Sequence, residues 1–371
     1  MRHAWRVGRI FGIDINIDSS WLVIFVLFSW VLAGSYFPQN YPDWPQSLYW
    51  IMGIITSLLV FVSVLLHELA HSFVAIKQGE KVRGITLFIL GGVAQITEEP
   101  KQPLKEFFMA LVGPLSSLAL GLVFFFLSFF LRGMSEPLYA SAIYLGIINT
   151  VLAIFNLLPG FPMDGGRILR AILWKITGSL RKATRIASIA GQGFAFLFMF
   201  LGILQFLRGN FSGLWFVFIG WFLHSAAVRG YKQVMVESML KGVKAEDLMT
   251  KDFKTVRSDV YVQDLVDNYI LKEKERVFLV SDDGAIKGIV CLEDVKVTPR
   301  EKWSFTRVEE IMTPREKLES VSLDTDGNKI LNSLNKKDIH QVPVMEGERV
   351  AGIICRTDIL RFIQFRTELG V

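Results

Sequence analysis

The sequence predicts a polytopic α-helical membrane protein with six transmembrane helices and a short membrane-dipping β-hairpin, followed by a cytosolic α+β domain. Three observations lead to this fold class. Of the 371 residues, 51% are hydrophobic, including 30 Phe and 9 Trp, and the mean hydropathy is +0.40. Six apolar runs approach the roughly 20 residues that a helix needs to cross a bilayer. After Val228 charged residues become dense, no such run recurs, and a two-copy repeat begins.

The six predicted spans are placed by the apolar runs and oriented by charge. Lys and Arg are frequent before the first run and after the second and the fourth (Arg167 and Arg170 among them), and scarce elsewhere between the runs. The positive-inside rule therefore places both termini in the cytosol and predicts a multi-pass protein of the cell membrane. The runs cover about 19–35, 50–76, 106–131, 138–158, 186–207 and 211–228.

The stretch 84–96 is too short to span a membrane. It is rich in β-branched residues and is broken by Gly91-Gly92. We interpret it as two short strands that dip into the membrane from the cytosol. Such backbone requires cover by protein or by a water-filled cavity, because lipid cannot satisfy its polar groups. The alternative is a surface hairpin outside the lipid.

The polar part of the chain contains an internal repeat. Glu246–Thr250 (EDLMT) recurs as Glu309–Thr313 (EEIMT). Each copy, about 244–298 and 307–362, has the pattern of a β-α-β-β-α unit. Two copies indicate a pseudo-symmetric pair and not a solenoid, which needs at least three repeats. Residues 231–243 are predicted to link this pair to the membrane part.

Charge and cysteine content exclude several classes of protein. The net charge of +5 is modest and no block of basic residues occurs, so nucleic acid is not predicted as a partner. The two cysteines, Cys291 and Cys355, form neither a disulfide framework nor a zinc ribbon. They are most simply buried small hydrophobic residues.

The second apolar run contains the pattern H-E-x-x-H, from His67 to His71. On a helix the two imidazoles lie one turn apart on the same face, where they can hold a Zn²⁺ ion with Glu68 beside it. Ionisable residues in a membrane helix are costly and mark functional sites. The pattern therefore predicts proteolysis within the bilayer; the alternative is a purely structural pair of histidines.

A catalytic zinc needs a third ligand, and the best candidate is Asp164. It lies in the stretch 156–166, where prolines and glycines end the fourth apolar run. The derived topology places this stretch and the end of the second run on the cytosolic side, so the three ligands can converge. Asn156 is an amide in an apolar segment: it can donate a hydrogen bond to the oxyanion of a tetrahedral intermediate, or bond a neighbouring helix.

These motifs together resemble the site-2 protease family of intramembrane zinc metalloproteases. The family pairs H-E-x-x-H with a later N-x-x-P…D-G motif, which here begins at Asn156 and ends with Asp164-Gly165. Gly91-Gly92 and Gly113-Pro114 also resemble family patterns. The resemblance covers about residues 10–230.

The resemblance implies a role for each of the candidate site residues. Residues 1–230 would form an intramembrane zinc metalloprotease domain. Glu68 would act as general base, taking a proton from the attacking water and passing it to the leaving amine. The implied metal ligands are His67, His71 and Asp164.

The tail, residues 244–371, resembles a tandem of cystathionine-β-synthase (CBS) domains, which often bind adenine nucleotides and would serve a regulatory role. Asp294 and Asp358 stand at the family's ribose-binding positions. Cys291 and Cys355 replace the Thr or Ser that usually precedes each of them. The resemblance implies ATP or AMP as a ligand, and the pair is also a candidate homodimer contact.

The predicted function is that of a zinc-dependent intramembrane endopeptidase. It would cleave the transmembrane segment of a single-span membrane protein near the cytosolic side of the lipid bilayer, under control of a nucleotide at the CBS pair. One alternative is a membrane channel or transporter gated by the CBS pair, which leaves the H-E-x-x-H pattern and Asp164 without a role. Another is a zinc-bound scaffold that holds partners without cutting them.

Overall fold

The computed structural model describes residues 4–89, 91–96, 102–337, 339–347 and 349–369. Both chain ends, for which a cytosolic location is predicted, and Leu90 of the predicted hairpin lie outside these residues. The chain divides into two compact units, Met1–Val234 and Met235–Val371, which we call the membrane unit and the tail unit.

The membrane unit combines long helices with one small sheet. Its strands are β1 (Ala4–Ile10), β2 (Ile13–Asp18), β3 (Val82–Phe88) and β4 (Gly91–Ile96). A π-helical turn, Leu32–Tyr36, joins the first two helices into one continuous element. The helices are α1 (Ser19–Val31), α2 (Phe37–Asn40), α3 (Gln46–Lys77), α4 (Pro103–Leu131), α5 (Glu136–Asn156), α6 (Asp164–Thr177), α7 (Leu180–Leu207) and α8 (Gly213–Leu240), whose last residues belong to the tail unit.

Five helices among the described residues are long and apolar enough to cross a membrane. The predicted sixth span, 211–228, coincides with the first part of α8. This helix is not among those five. The chain is a multi-pass membrane protein, and its sixth span stays a prediction. The five helices are Ser19–Asn40, Gln46–Lys77, Pro103–Leu131, Glu136–Asn156 and Leu180–Leu207.

Local sequence sets several helix ends. Asp18 caps α1, because its carboxylate accepts a hydrogen bond from the backbone N–H of Ser20 at 3.0 Å. Pro103 and Pro137 lie in the first turns of α4 and α5, where the missing N–H of proline costs nothing. Gly178 ends α6 in the left-handed region, at φ 67°.

The sheet of the membrane unit has the order β1-β2-β3-β4. β1 and β2 form an antiparallel hairpin, and β2 pairs in parallel with β3, with Ile15 opposite Ile85. β3 and β4 pair antiparallel, with Leu87 opposite Gly92. The N-terminal strands, which the sequence analysis did not predict, therefore turn the two strands expected over 84–96 into part of a larger sheet. Whether these strands dip into the membrane stays a prediction.

This sheet packs on α3. Ile13, Ile15 and Ile85 are buried together, and Leu65 and Leu69 of α3 pack against them. Because Leu65 lies just before the H-E-x-x-H pattern and Leu69 lies within it, the packing brings the sheet next to Glu68.

The tail unit consists of two similar halves. Its sheets have the orders β5-β6-β7-β8 and β11-β10-β9. The strands are β5 (Thr255–Val256), β6 (Val277–Asp282), β7 (Ala285–Cys291), β8 (Thr313–Pro314), β9 (Val321–Ser322), β10 (Gln341–Glu346) and β11 (Arg349–Cys355). The helices are α9 (Ala245–Leu248), α10 (Val262–Asp264), α11 (Leu271–Glu273), α12 (Leu292–Val297), α13 (Val308–Ile311), α14 (Gly327–Lys336) and α15 (Arg356–Leu369).

The two copies of the repeat have similar structures, and a residue of one copy pairs with a strand of the other. The pairs β6–β7 and β10–β11 are both antiparallel, and each has one register shift, after Val280 and after Val344. Thr250, in the first copy of the repeat, pairs with Ile353 in the second. A buried cluster that includes Leu279 and Ile353 joins the halves.

Candidate metal centre

The two histidines of α3 face each other across one helical turn. His67 and His71 are each only 4% exposed. Their Nε2 atoms lie 3.2 Å apart. This is the arrangement that the i, i+4 spacing predicts.

Asp164 completes the cluster from another helix. α5 ends at Asn156, and Asp164 begins the separate helix α6, so it does not end the fourth span directly. Its Oδ2 atom lies 3.1 Å from Nε2 of His67 and 3.1 Å from Nε2 of His71. Among the described residues, these three form the group of His, Cys, Asp or Glu side chains spaced closely enough to share one metal ion.

The spacing of the three atoms fits a tetrahedral zinc. Bonds of about 2.0–2.1 Å set the ligand atoms of such an ion about 3.3–3.4 Å apart. The observed separations are 3.1, 3.1 and 3.2 Å. Two imidazoles and one carboxylate are also a typical ligand set for catalytic zinc.

Helix α4 fixes which nitrogen of each imidazole faces the centre. His71 donates from Nδ1 to the carbonyl oxygen of Met109 at 2.6 Å. Nδ1 of His67 lies 2.8 Å from the hydroxyl oxygen of Ser117. A neutral histidine that donates from Nδ1 carries its lone pair on Nε2, so the carbonyl fixes this orientation for His71, and the Ser117 hydroxyl, which can also accept, permits it for His67. Three convergent electron pairs suit a cation.

Two glycines leave space for these side chains. A Cβ at Gly113 would overlap with the imidazole of His71 and lie 2.8 Å from Nε2 of His67. A Cβ at Gly92 of β4 would lie 2.6 Å from Cγ of Glu68. Close approach therefore requires glycine at both positions. The second contact places β4 directly beside the candidate base.

Asn156 is the last residue of α5. Its Nδ2 donates to the carbonyl of Leu152, one turn earlier in the same helix, at 3.0 Å. This hydrogen bond stays within α5, so the oxyanion role and the bond to a neighbouring helix both stay predictions. An amide carries two N–H donors, so one remains for other use.

The sequence analysis missed the residues that hold the histidines. The acceptor for His71 is a backbone carbonyl, which no side-chain pattern reveals. Ser117 is a small residue in an apolar run, and it gave no signal. Asn149 was also missed: it is 1% exposed and donates to the hydroxyl oxygen of Ser63 at 3.1 Å, which ties α5 to α3.

In the tail unit, Asp294 and Asp358 occupy equivalent places at helix starts. Asp294 accepts hydrogen bonds from the backbone N–H of Cys291 at 2.8 Å and from its thiol at 2.9 Å. Asp358 accepts from the backbone N–H of Cys355 at 2.8 Å. One oxygen of each carboxylate thus bonds the backbone N–H of the residue just before its own helix, as the third residue of a capping box does. Burial raises the pKa of the Cys291 thiol to about 11 and that of the Cys355 thiol to about 12, so both stay protonated at neutral pH.

A cavity of about 290 Å³ lies in the tail unit. Asp358 lines it, whereas Asp294 does not. Its wall carries charges of both signs, because the carboxylates of Asp252 and Glu275 line it as well as four cationic side chains. The cations are Lys254, Lys274, Arg276 and Arg361.

Comparisons with known proteins match both units. The model of peptidase family M50 matches residues 55–143 and 133–201, and the CBS domain model matches 245–297 and 308–364. "Zinc metalloprotease MJ0392" of Methanocaldococcus jannaschii is 35% identical, covering 97% of this chain and 96% of that protein. "Putative zinc metalloprotease Rip3" of Mycobacterium tuberculosis is 34% identical, covering 98% and 93%. The solved structure "Site-2 Protease from Methanocaldococcus jannaschii" is 33% identical and covers 61% of this chain and 94% of that one, with a TM-score of 0.42.

Proposed function

The chain belongs to peptidase family M50, the site-2 protease family of zinc metalloproteases, and on that premise we propose that it is an intramembrane endopeptidase. Its substrate would be a single-span membrane protein, cut within its transmembrane segment near the cytosolic side. The observation that carries this proposal is the convergence of His67, His71 and Asp164 beside Glu68 in a multi-pass membrane protein. We assign residues 1–230 to the protease domain, 231–243 to a linker and 244–371 to the CBS pair.

Five side chains share the proposed chemistry. His67, His71 and Asp164 hold the metal through the three atoms described above. When bound, zinc supplies a Lewis acid that polarises water and the scissile carbonyl. Glu68 accepts a proton from the attacking water and delivers it to the leaving amine. The free N–H of Asn156 donates to the oxyanion of the tetrahedral intermediate.

Strand β4 is our candidate docking edge for the substrate. It lies at one edge of the sheet, and its Gly92 contacts Glu68. A transmembrane helix hides its carbonyl groups, so a substrate has to unwind before it can be cut. An unwound segment that adds to β4 as a further strand presents its backbone beside the base.

We also propose that an adenine nucleotide regulates cleavage through the tail unit. Cys355 and Asp358, at the start of α15, line the 290 Å³ cavity. Farther along α15, Arg366 donates from Nη1 to the carbonyl of Met239, in the last turn of α8, at 2.7 Å. A ligand that shifts α15 would therefore act on the helix that leads back to the membrane unit. Such a ligand changes activity only if it binds two states with different affinity.

Co-expression with candidate single-span proteins tests the proposed activity. Cells that carry the wild-type chain should accumulate a shortened product, and cells that carry Glu68→Gln at the same level should not. Gln matches Glu in size but cannot accept the proton, so the pair isolates the base. Equal amounts of product with both chains would count against the proposal, and a product that needs neither chain would assign the cut to another protease.

A further inference from the structure

We propose that the buried ion pair between Glu106 and Arg170 positions Asp164 against the two histidines. The inference rests on the proposed zinc site. It concerns two positioning residues, because neither is among the three residues whose atoms form the centre. Nothing in the ligand motifs themselves points to this pair.

Helix α4 supports the centre along one face. Met109 bonds His71, Ser117 bonds His67, and Gly113 between them leaves room for both rings. The spacing of three to four residues from Glu106 through these positions is that of a single helical face. Glu106 therefore begins the same face that holds the histidines, and it is 0% exposed.

The partner of Glu106 comes from the helix that Asp164 begins. Arg170 lies in α6 and is 3% exposed. Its Nε donates to Oε1 of Glu106 at 2.6 Å, and its Nη2 contacts the same oxygen. The guanidinium carbon also lies 5.1 Å from the ring centroid of Phe161, in the loop that leads to Asp164. One arginine thus joins α4, α6 and that loop.

The physical character of the pair makes it a rigid connection. A guanidinium and a carboxylate bond in a narrow range of geometries. Separating them inside the protein would pull two buried charges apart, which is unfavourable even though Nε of Arg167 also lies 4.0 Å from Oε1 of Glu106. Arg170 follows Asp164 by six residues, or about 9 Å along the helix axis. A slide or rotation of α6 that moves Asp164 off the centre would therefore have to break the pair.

Zinc affinity of the full-length protein in detergent tests this inference. The zinc-free chain is titrated against a chromophoric chelator, as wild type, Arg170→Gln, Asp164→Asn and the double variant. We expect Arg170→Gln to weaken zinc binding about 10–100-fold, as the loss of a supporting residue does at other metal sites. If Arg170 acts through Asp164, the double variant binds zinc no more weakly than Asp164→Asn alone.

A second variant controls for misfolding that an unpaired buried charge could cause. Glu106→Gln with Arg170→Gln removes both charges together and should weaken zinc binding in the same way. The control is Ser141→Ala, which removes another buried contact between helices, the 2.8 Å hydrogen bond between Ser141 and Thr56. It should bind zinc as the wild type does. Helical circular dichroism and elution as a single species show that each variant is folded.

The visible spectrum of the Co²⁺-substituted chain gives a readout of geometry. Arg170→Gln should change the d–d bands in the direction that Asp164→Asn does.

Wild-type zinc affinity in folded Arg170→Gln and in the neutralised double variant would overturn the inference. Full additivity of Arg170→Gln and Asp164→Asn would do the same. A wild-type chain without zinc would instead remove the proposed function, so the two failures are distinguishable.

Discussion

Replacing Gly92 with Ala tests the contact between β4 and the proposed base. A Cβ at this position would lie 2.6 Å from Cγ of Glu68, whereas ordinary contact begins at 3.4 Å. Gly92 is not among the glycines with positive φ, so a methyl group does not strain its own backbone. The difference between 3.4 and 2.6 Å, 0.8 Å, has to be taken up by a shift of Glu68 or of β4.

A shift of this size predicts a large kinetic effect with the metal retained. Misplacement of a reacting group by about 1 Å can cost on the order of 10²-fold in rate. We therefore expect kcat/KM to fall about 10²-fold, equivalent to about 2.7 kcal/mol of transition-state stabilisation. Zinc content should not change, because the atoms nearest to the new methyl group belong to Glu68 and Leu87 and not to the imidazoles.

The assay is cleavage of a purified single-span substrate in detergent, together with elemental analysis of the same preparation. The matched control is Gly193→Ala in α7, where a Cβ meets nothing within 4 Å. It should cleave as fast as the wild type. A Gly92→Ala chain with wild-type kcat/KM would refute the reasoning, and a Gly92→Ala chain that has lost zinc would show that β4 supports the metal and not the base.

Three further predictions follow from the two units. His67→Ala or His71→Ala should lose zinc and cleavage together, since two ligands remain of three; stoichiometric zinc in the double variant, by elemental analysis, would refute the ligand assignment. Alkylation of Cys291 and Cys355 requires the thiolate, and their raised pKa values of about 11 and 12 mean that it should be slow at pH 8 and accelerate as the pH rises toward 11. Mass spectrometry of iodoacetamide-treated protein measures this, and rapid labelling at pH 8 would contradict the raised pKa values of the two thiols. ATP or AMP should bind the full-length chain in calorimetry and alter its cleavage rate; no heat at millimolar nucleotide and no change in rate would leave the tail unit as a docking or dimerisation module.

The ligand set was predictable because all three proposed ligands are side chains, whose chemistry the sequence shows directly. The i, i+4 histidines and the helix-breaking stretch before Asp164 each leave a signal in the sequence. The topology derived from charge then placed both at one side of the membrane, and the structure has the three side chains within reach of one ion. By contrast, the acceptor that orients His71 is a carbonyl of Met109.

The sequence does not reveal which charged residues are paired inside the protein. Arg170 was counted with the cytosolic residues that orient the fourth span, yet it is buried against Glu106. Pattern analysis treats every charge as solvated, and only tertiary contacts distinguish an orienting charge from a paired one. The first strand leaves little signal because β1 is mostly exposed and its sequence has no buried alternation to detect. Strand β2 does alternate Ile with polar residues, but it is only six residues long.

Cleavage of peptide bonds within a membrane segment is the activity proposed for this metal centre. The most direct measurement is mass spectrometry of the new termini produced from a reconstituted single-span substrate, with wild-type and Glu68→Gln chains in parallel. We predict one cut inside the transmembrane segment toward its cytosolic end, present with the wild type and at least 10²-fold slower with zinc-loaded Glu68→Gln. A cut outside the segment would contradict intramembrane cleavage, and the same cut at a similar rate with Glu68→Gln would contradict the role of Glu68 as the base.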